Sequence, residues 1–527
     1  MKGDKYFNVT GLCVPEYHYM ANTHEKIEQI IQKYIKTKSY FTINQARQFG
    51  KTTTLRLLQI DLQPQYIIIR ISFEGKEEYF SSLQTLAGGL CFSFHKALKK
   101  QYPEYAEIFK EYTENEYPMR ALSERISFLC EQSPKGVILM IDEVDKAADN
   151  QIFMSFLGIL REMYLDRMDH HASAFHNVIL SGVHDIKNLK KKFRPEDEHT
   201  YNSPWNIAAD FDIDMSLSVK EISSMLQEYE QDNQTGMDLF LMAQIIYDYT
   251  SGYPYLVSCL CKIMDEEILG KEYFSTPQKV WTVKGIKEAV RRILKKPSTL
   301  FDDIKKKLTD YPELRKMLYA ILFNGQVFPY NIYNKVIDIG SIFGFIKEGD
   351  DQVRISNRIF ETWMYNYFLS EDMVDQAGRS QLLYDKNQFV TDGNLNMDLV
   401  MEKFLEYFTD LYQENDVKFV EENGRRLFLL YLKPIINGIG NYYVEARTRN
   451  MTRTDLIVDY QAHQYVVEMK IYRGNEYHRK GEEQLADYLE LYHLNKGYLL
   501  IFNFNKKKQP GIRRIYCKGK EIFEVVV

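Results

Sequence analysis

Along the first two hundred residues, short unbroken apolar runs alternate with stretches whose apolar residues recur every three or four positions. The runs lie at 39–44, 66–74, 136–143 and 177–182, each with the length and composition of a strand buried on both faces. Such strands separated by helical stretches, one of them running through Leu58, predict an α/β fold with a mostly parallel, doubly wound sheet. From 219 to 296 the period becomes helical throughout, with Ile222, Met225 and Leu226, then Phe240, Met242, Ile245 and Ile246, on apolar faces. Helices are expected near 300–308 and 311–323, then a short β-wing over 341–346 and 353–356, then a helix from Arg358. That order predicts a winged helix. A polar stretch over 371–396 reads as linker and helix start. Beyond it two strand-like stretches, Leu456–Val458 and Gln464–Ile471, form a hairpin followed by a helical stretch around 483–488. The expected domains are 1–218, a helical lid at 219–298, the winged helix at 299–370, a linker at 371–394 and a C-terminal α/β domain at 395–527.

The chemistry gathers at strand ends. After the first strand comes Gln45-Ala46-Arg47-Gln48-Phe49-Gly50-Lys51-Thr52-Thr53, then a helix. Strand, loop, Gly-Lys-Thr and helix form a phosphate loop. Loop amides and the helix N-terminus, with Gly50 and Thr53 beside them, would cradle phosphates, Lys51 would reach the β- and γ-phosphates, and Thr52 would ligate Mg²⁺. Gln45 stands where the usual first glycine would be. The third run ends in Asp142-Glu143, where Asp142 would hold Mg²⁺ and Glu143 would polarise the attacking water. In the fourth run, Ser181 is a candidate polar sensor near the γ-phosphate. Gly50, Asp142 and Ser181 all fall at the carboxyl ends of their strands, where doubly wound sheets bind ligands. ATP with Mg²⁺ is the expected ligand pair.

Near the C-terminus, Asp455 opens one strand, and Glu468 and Lys470 sit two apart on the next, pointing to one face. The two carboxylates and the Met469 carbonyl form an oxygen-rich site suited to Mg²⁺, with a lysine beside it. Phosphodiester cleavage needs this set: a metal to activate water and offset developing charge, and a cation to hold the nucleophile or scissile phosphate.

Asp455 with Glu468-Met469-Lys470 resembles the motif of the PD-(D/E)XK nuclease superfamily, over roughly residues 395–527. The resemblance implies a restriction-endonuclease-like fold, an upstream supporting acid at Glu445, a metal ligand by this reading, and a supporting glutamine at Gln484. It also implies a DNA substrate and prokaryotic defence or mobile-element biology. The N-terminal order resembles the AAA-like ATPases of bacteria and archaea. There, 7–11 and 15–19 would form a lead-in flanking the adenine, and Gly252-Tyr253-Pro254 would open a lid helix. Arg194, in a basic run, is the candidate trans-acting arginine of a homo-oligomer.

Composition narrows the picture further. The 527 residues are 45% hydrophobic and 14% aromatic, which indicates folded domains, and the net charge of −6 confines any nucleic-acid contact to local basic patches. Candidate patches are 187–194, 506–508, and Arg513-Arg514 with Lys518 and Lys520. Six cysteines without a C-x-x-C pair predict neither a disulfide framework nor a zinc site. No apolar stretch reaches membrane-spanning length and the N-terminus lacks a signal-peptide core, so a cytoplasmic protein without membrane contact is expected. Two rival readings remain: a regulatory ATPase with an idle nuclease fold, and a nucleotide-switched scaffold docking partner proteins.

Overall fold

The computed structural model describes residues 5–110, 117–147, 150–183, 190–191, 201–271, 273–324, 326–376, 389–391, 394–411, 421–436, 440–447, 453–460, 463–472, 474–504 and 510–527. Two compact units emerge: residues 1–289 with 338–346, and residues 290–337 with 347–527.

The first unit is built on four strands, β1 (Phe41–Asn44), β2 (Ile67–Ser72), β3 (Val137–Asp142) and β4 (Asn177–Gly182), ordered β1-β4-β3-β2 and parallel throughout. Side chains of β3 alternate between two cores. Leu139 and Ile141 join Leu90, Leu122 and Leu157 of helices 83–98, 118–132 and 151–168, while Ile138 and Met140 join Leu55 and Leu58 of helix Lys51–Leu62. A strand covered on both faces has no polar side to show, which is why the sequence reads as a continuous apolar run. The same alternation assigns Asp142 and Ser181 to the face carrying helix Lys51–Leu62, since they share parity with Met140 and Ile179.

Helices Val219–Asn233, Leu239–Thr250, Pro254–Lys262 and Val283–Lys295 follow. The first starts in a capping box: the Ser218 hydroxyl accepts from Glu221 N–H, and the Glu221 carboxylate accepts from Ser218 N–H.

In the second unit, helices Thr299–Asp310 and Pro312–Asn324 precede a wing of β5 (Ile346–Gly349) and β6 (Gln352–Ile355), and helix Arg358–Gln376 follows. The wing starts later than expected. Ser341 and Ile342 end helix Lys335–Ile342, and the hairpin turns at Asp350 and Asp351, both at positive φ. Helix Arg358–Gln376 also runs into the segment expected to be linker.

The C-terminal sheet contains β7 (Gly440–Arg447), β8 (Arg453–Tyr460), β9 (His463–Ile471), β10 (Lys496–Phe502), β11 (Gly511–Cys517) and β12 (Lys520–Val526), ordered β7-β8-β9-β10-β12-β11. β9-β10 and β10-β12 pair in parallel; the other pairs are antiparallel. Helix Asn475–Leu491, the crossover between β9 and β10, covers one face. It lies so close to β10 that a Cβ on Gly497 would stand 2.9 Å from Leu489. Helices Met397–Leu411 and Glu421–Ile436 cover the other face, where Phe408 packs on Phe502 at 5.4 Å between ring centroids. Among the described residues, no helix is long and apolar enough to cross a membrane.

Candidate functional site

The phosphate loop takes its shape from two residues in the left-handed region, Gln48 (φ 60°) and Gly50 (φ 77°). Gln45 is not one of them. Its N–H donates to Gly182 O at 3.1 Å, prolonging the β1–β4 pairing, so this position makes no conformational demand for glycine. Helix Lys51–Leu62 begins directly after Gly50. Lys51 is 9% exposed, and its ammonium donates to Gln45 O at 2.8 Å and Ala46 O at 2.9 Å, curling the loop around a buried charge. Burial pulls its pKa down, and the carboxylates of Asp145, Glu143 and Asp142 oppose that pull.

Asp142 is the hub of the site. Its Oδ2 accepts from the Thr52 hydroxyl at 2.7 Å, and its Oδ1 accepts from the Ser181 hydroxyl at 2.8 Å and from Glu143 N–H at 3.0 Å. Asp142 and Ser181 are buried, so water does not compete for these bonds. Glu143 stands at φ 55°, and burial first, then the Asp142 charge, raises its pKa. The Thr53 hydroxyl faces elsewhere and accepts from Cys13 N–H at 3.3 Å, tying the lead-in segment to the loop helix.

Three neighbours reach this site from outside the phosphate-loop and strand-end motifs. The Asp145 carboxylate accepts from Val183 N–H just past β4. The Tyr253 hydroxyl donates to Arg47 O at 2.5 Å, and its ring packs edge-on against Phe49. Gly344 approaches Ala46 so closely that a Cβ there would lie 2.7 Å from the alanine methyl. Each pairing joins residues far apart in sequence. Arg194 lies outside the described residues, as do 187–189 and 506–508.

In the C-terminal sheet, β8 and β9 pair as Leu456↔Val467, Ile457↔Val466 and onward. One further step in that register sets Asp455 across from Glu468. Glu445 stands between the β7–β8 pairs Val444↔Leu456 and Ala446↔Thr454, beside Asp455 on the next strand. The backbone thus sets the three expected acids in one row across adjacent strands. The side chains of Glu445 and Asp455 lie outside the described set. Glu468 is fully buried, and Lys470, two residues on, holds its ammonium 2.9 Å from the Glu468 carboxylate. Helix Asn475–Leu491 roofs this pair, with Gly481 over the Lys470 stem. Gln484 is half-buried on the same helix, and its amide donates to Tyr488 OH at 2.7 Å.

The basic residues flanking this core are matched by acids of the same domain. Arg514 meets Asp398 at 3.3 Å, Lys518 meets Asp487 at 2.5 Å and Lys520 meets Glu490 at 2.7 Å. The donor sets suit Mg²⁺, a hard cation that takes oxygen ligands. The hydroxyl and carboxylate of Thr52 and Asp142 are such donors in the first unit, and the Glu468 carboxylate is one in the second.

Residues 439–515 match the family model described as "PD-(D/E)XK nuclease superfamily". No curated protein matches the chain. Among solved structures, a Walker-type ATPase of Pyrococcus abyssi is similar at 14% identity and a TM-score of 0.41, over 68% of this chain and 99% of that one. The Aeropyrum pernix ORC1 protein in complex with DNA is similar at 10% identity and a TM-score of 0.31, over 68% and 94% of the two chains. The ORC2 protein of the same organism gives 10% identity and a TM-score of 0.38, over 66% and 94%. The phosphate loop at the end of β1, the Asp142 hub on a parallel sheet, and the family match at 439–515 lead to one statement: this chain carries a PD-(D/E)XK nuclease superfamily domain behind a P-loop ATPase fold.

Proposed function

We propose that this protein binds and hydrolyses ATP in its first unit, and that its nucleotide state controls Mg²⁺-dependent cleavage of DNA by its C-terminal domain. Lys51 neutralises the β- and γ-phosphates, exchanging its bonds to the Gln45 and Ala46 carbonyls for phosphate oxygens. Thr52 and Asp142 would hold Mg²⁺ on the phosphates, Ser181 fixes the Asp142 carboxylate, and Glu143 draws a proton from the attacking water. In the nuclease domain, Asp455 and Glu468 would hold Mg²⁺, with Glu445 and Gln484 in support. The metal supplies charge neutralisation at the scissile phosphate. Lys470 orients the water and stabilises charge on the phosphate oxygens as they become more negative.

The observation that carries this reading is the Glu468–Lys470 pair, with Asp455 across from Glu468 when the β8–β9 register is carried one step further. A lysine held 2.9 Å from a fully buried carboxylate is a costly arrangement for a domain to keep for packing alone. The idle-nuclease reading also has support, because Arg514, Lys518 and Lys520 already face acids of their own domain. Incubating the purified chain with circular and linear DNA separates the two, with and without ATP and with Mg²⁺ or Mn²⁺. Metal-dependent cutting that changes with nucleotide is the expected result. ATP turnover without cleavage on any DNA or RNA would leave the regulatory ATPase as the function.

A further inference from the structure

Across the same face of the C-terminal sheet, the row that contains Glu468 continues through Leu499 to Glu524, since β9, β10 and β12 pair as Glu468↔Leu499 and Leu499↔Glu524. Glu524 is 1% exposed, a carboxylate taken almost wholly out of water. From the roofing helix, His478 and Glu482, one turn apart on one side, reach down to it. The His478 Nε2 lies 2.5 Å from Glu524 Oε2 and 3.1 Å from Glu482 Oε1. One ligand atom from each of the three residues falls within 4.8 Å of the others. The second oxygen of Glu524 is buried without a hydrogen-bond partner among the described residues, and the Arg513 Nε stands 3.7 Å away. Burial raises the Glu482 pKa, and the Glu524 charge adds to the rise.

We propose that His478, Glu482 and Glu524 form a second metal site, for a divalent transition ion of the Zn²⁺ class. One imidazole nitrogen and two carboxylate oxygens are the donors such ions take, whereas Mg²⁺ prefers oxygen alone. Ligand atoms around a tetrahedral ion at about 2.1 Å stand roughly 3.4 Å apart. The 3.1 Å His478–Glu482 separation needs only a small side-chain adjustment to reach that, and the His478–Glu524 contact must open further. Adjacent strands are about 4.8 Å apart, so two strand steps put this site roughly 10 Å from Glu468 along the row. That is too far for one two-metal centre, whose ions lie about 4 Å apart. The ion instead pins helix Asn475–Leu491 to β12 and so fixes the roof over Lys470.

The test is metal binding by the full-length protein, which requires no turnover at either of the other sites. After chelator treatment, Zn²⁺ is titrated against a chromophoric competitor in wild type and in the Glu468→Gln, His478→Ala and Glu482→Gln variants, each checked for folding by circular dichroism. Wild type should take up one Zn²⁺ more than His478→Ala, the same one-ion difference should persist when both carry Glu468→Gln, and Glu482→Gln should weaken that uptake at least tenfold. Glu482 is part-exposed, so its variant keeps the test informative if His478→Ala fails to fold. Co²⁺ should give visible d–d bands without a thiolate charge-transfer band, which excludes the six cysteines as the source. Equal Zn²⁺ uptake by wild type and Glu482→Gln, or Co²⁺ bands of thiolate character only, would overturn the proposal and leave the three residues as an ion-paired clasp. Absence of DNA cleavage by the wild-type protein with zinc uptake intact would count against the nuclease reading and not against this site.

Discussion

Ser181→Ala removes one oxygen from the proposed ATPase site and keeps the rest of the side-chain volume. The hydroxyl donates to Asp142 Oδ1 at 2.8 Å, in a place where Ser181 is fully buried and Asp142 is 6% exposed. Water therefore cannot replace it. A hydrogen bond to a charged group contributes about 1.5–3 kcal/mol. Glu143 N–H stays on the same oxygen at 3.0 Å and Thr52 on the other at 2.7 Å, so the loss should fall near the middle of that range, about 2 kcal/mol. If Asp142 must be aimed for hydrolysis, turnover at saturating Mg²⁺ and ATP should drop about 30-fold, since each 1.36 kcal/mol is a factor of ten in rate. Magnesium-free ADP should bind nearly as before, because Lys51 and the loop amides are untouched.

A double-mutant cycle with Asp142→Asn isolates the term. Against a neutral amide the same hydroxyl contributes only about 1 kcal/mol, so the two substitutions should be non-additive by roughly 1 kcal/mol in thermal or denaturant stability of the ATPase unit. The reasoning fails if Ser181→Ala hydrolyses ATP at the wild-type rate, or if the two substitutions add. Either result would mean that Ser181 packs beside Asp142 without orienting it.

Lys51→Ala should weaken ATP binding roughly 100-fold or more, read by titration with a fluorescent nucleotide, because two charge-assisted bonds to phosphate of about 1.5 kcal/mol each are lost. Glu143→Gln should bind ATP and fail to hydrolyse it. Because burial and the Asp142 charge raise the Glu143 pKa, its ionised form is lost at a higher pH than the usual 4.5, and the acid limb of kcat/KM for ATP should shift upward accordingly. Lys470→Ala and Asp455→Ala should each lower DNA cleavage by about 10²–10³ while ATP turnover persists, and only Asp455→Ala should also weaken Mg²⁺ binding.

How legible these sites were in the sequence depended on whether the relevant neighbours were close in the chain. Gly50, Lys51 and Thr52 are contiguous, and Asp142 and Ser181 end apolar runs, so strand ends on a parallel sheet were enough to bring them together. The Glu468–Lys470 pair follows from period two alone, and Asp455 from the short hairpin that sets the register. The wing was placed too early because Ser341 to Ile346 is apolar enough for a strand, yet its first residues close a helix. Apolarity without a clear period cannot choose between the two.

The His478–Glu482–Glu524 cluster illustrates the opposite case. His478 and Glu482 are an ordinary i, i+4 pair on a charged helix, and Glu524 is one acid in a C-terminal strand. Nothing local distinguishes Glu524 from its neighbour Glu521, which sits three residues earlier and is part-exposed. What singles it out is the pairing of β10 with β12 in parallel, which carries the Glu468 row across Leu499 and under the roofing helix. A strand order that skips β11 is not written in any window of sequence, because it depends on β11 folding back along the outer edge of β12. Burial then turns an unremarkable acid into one that must be compensated, and a histidine stands where that compensation is needed, with a second acid beside it. The pairing of Glu468 with Lys470 is readable from spacing, whereas the surroundings of Glu524 exist only because of the fold.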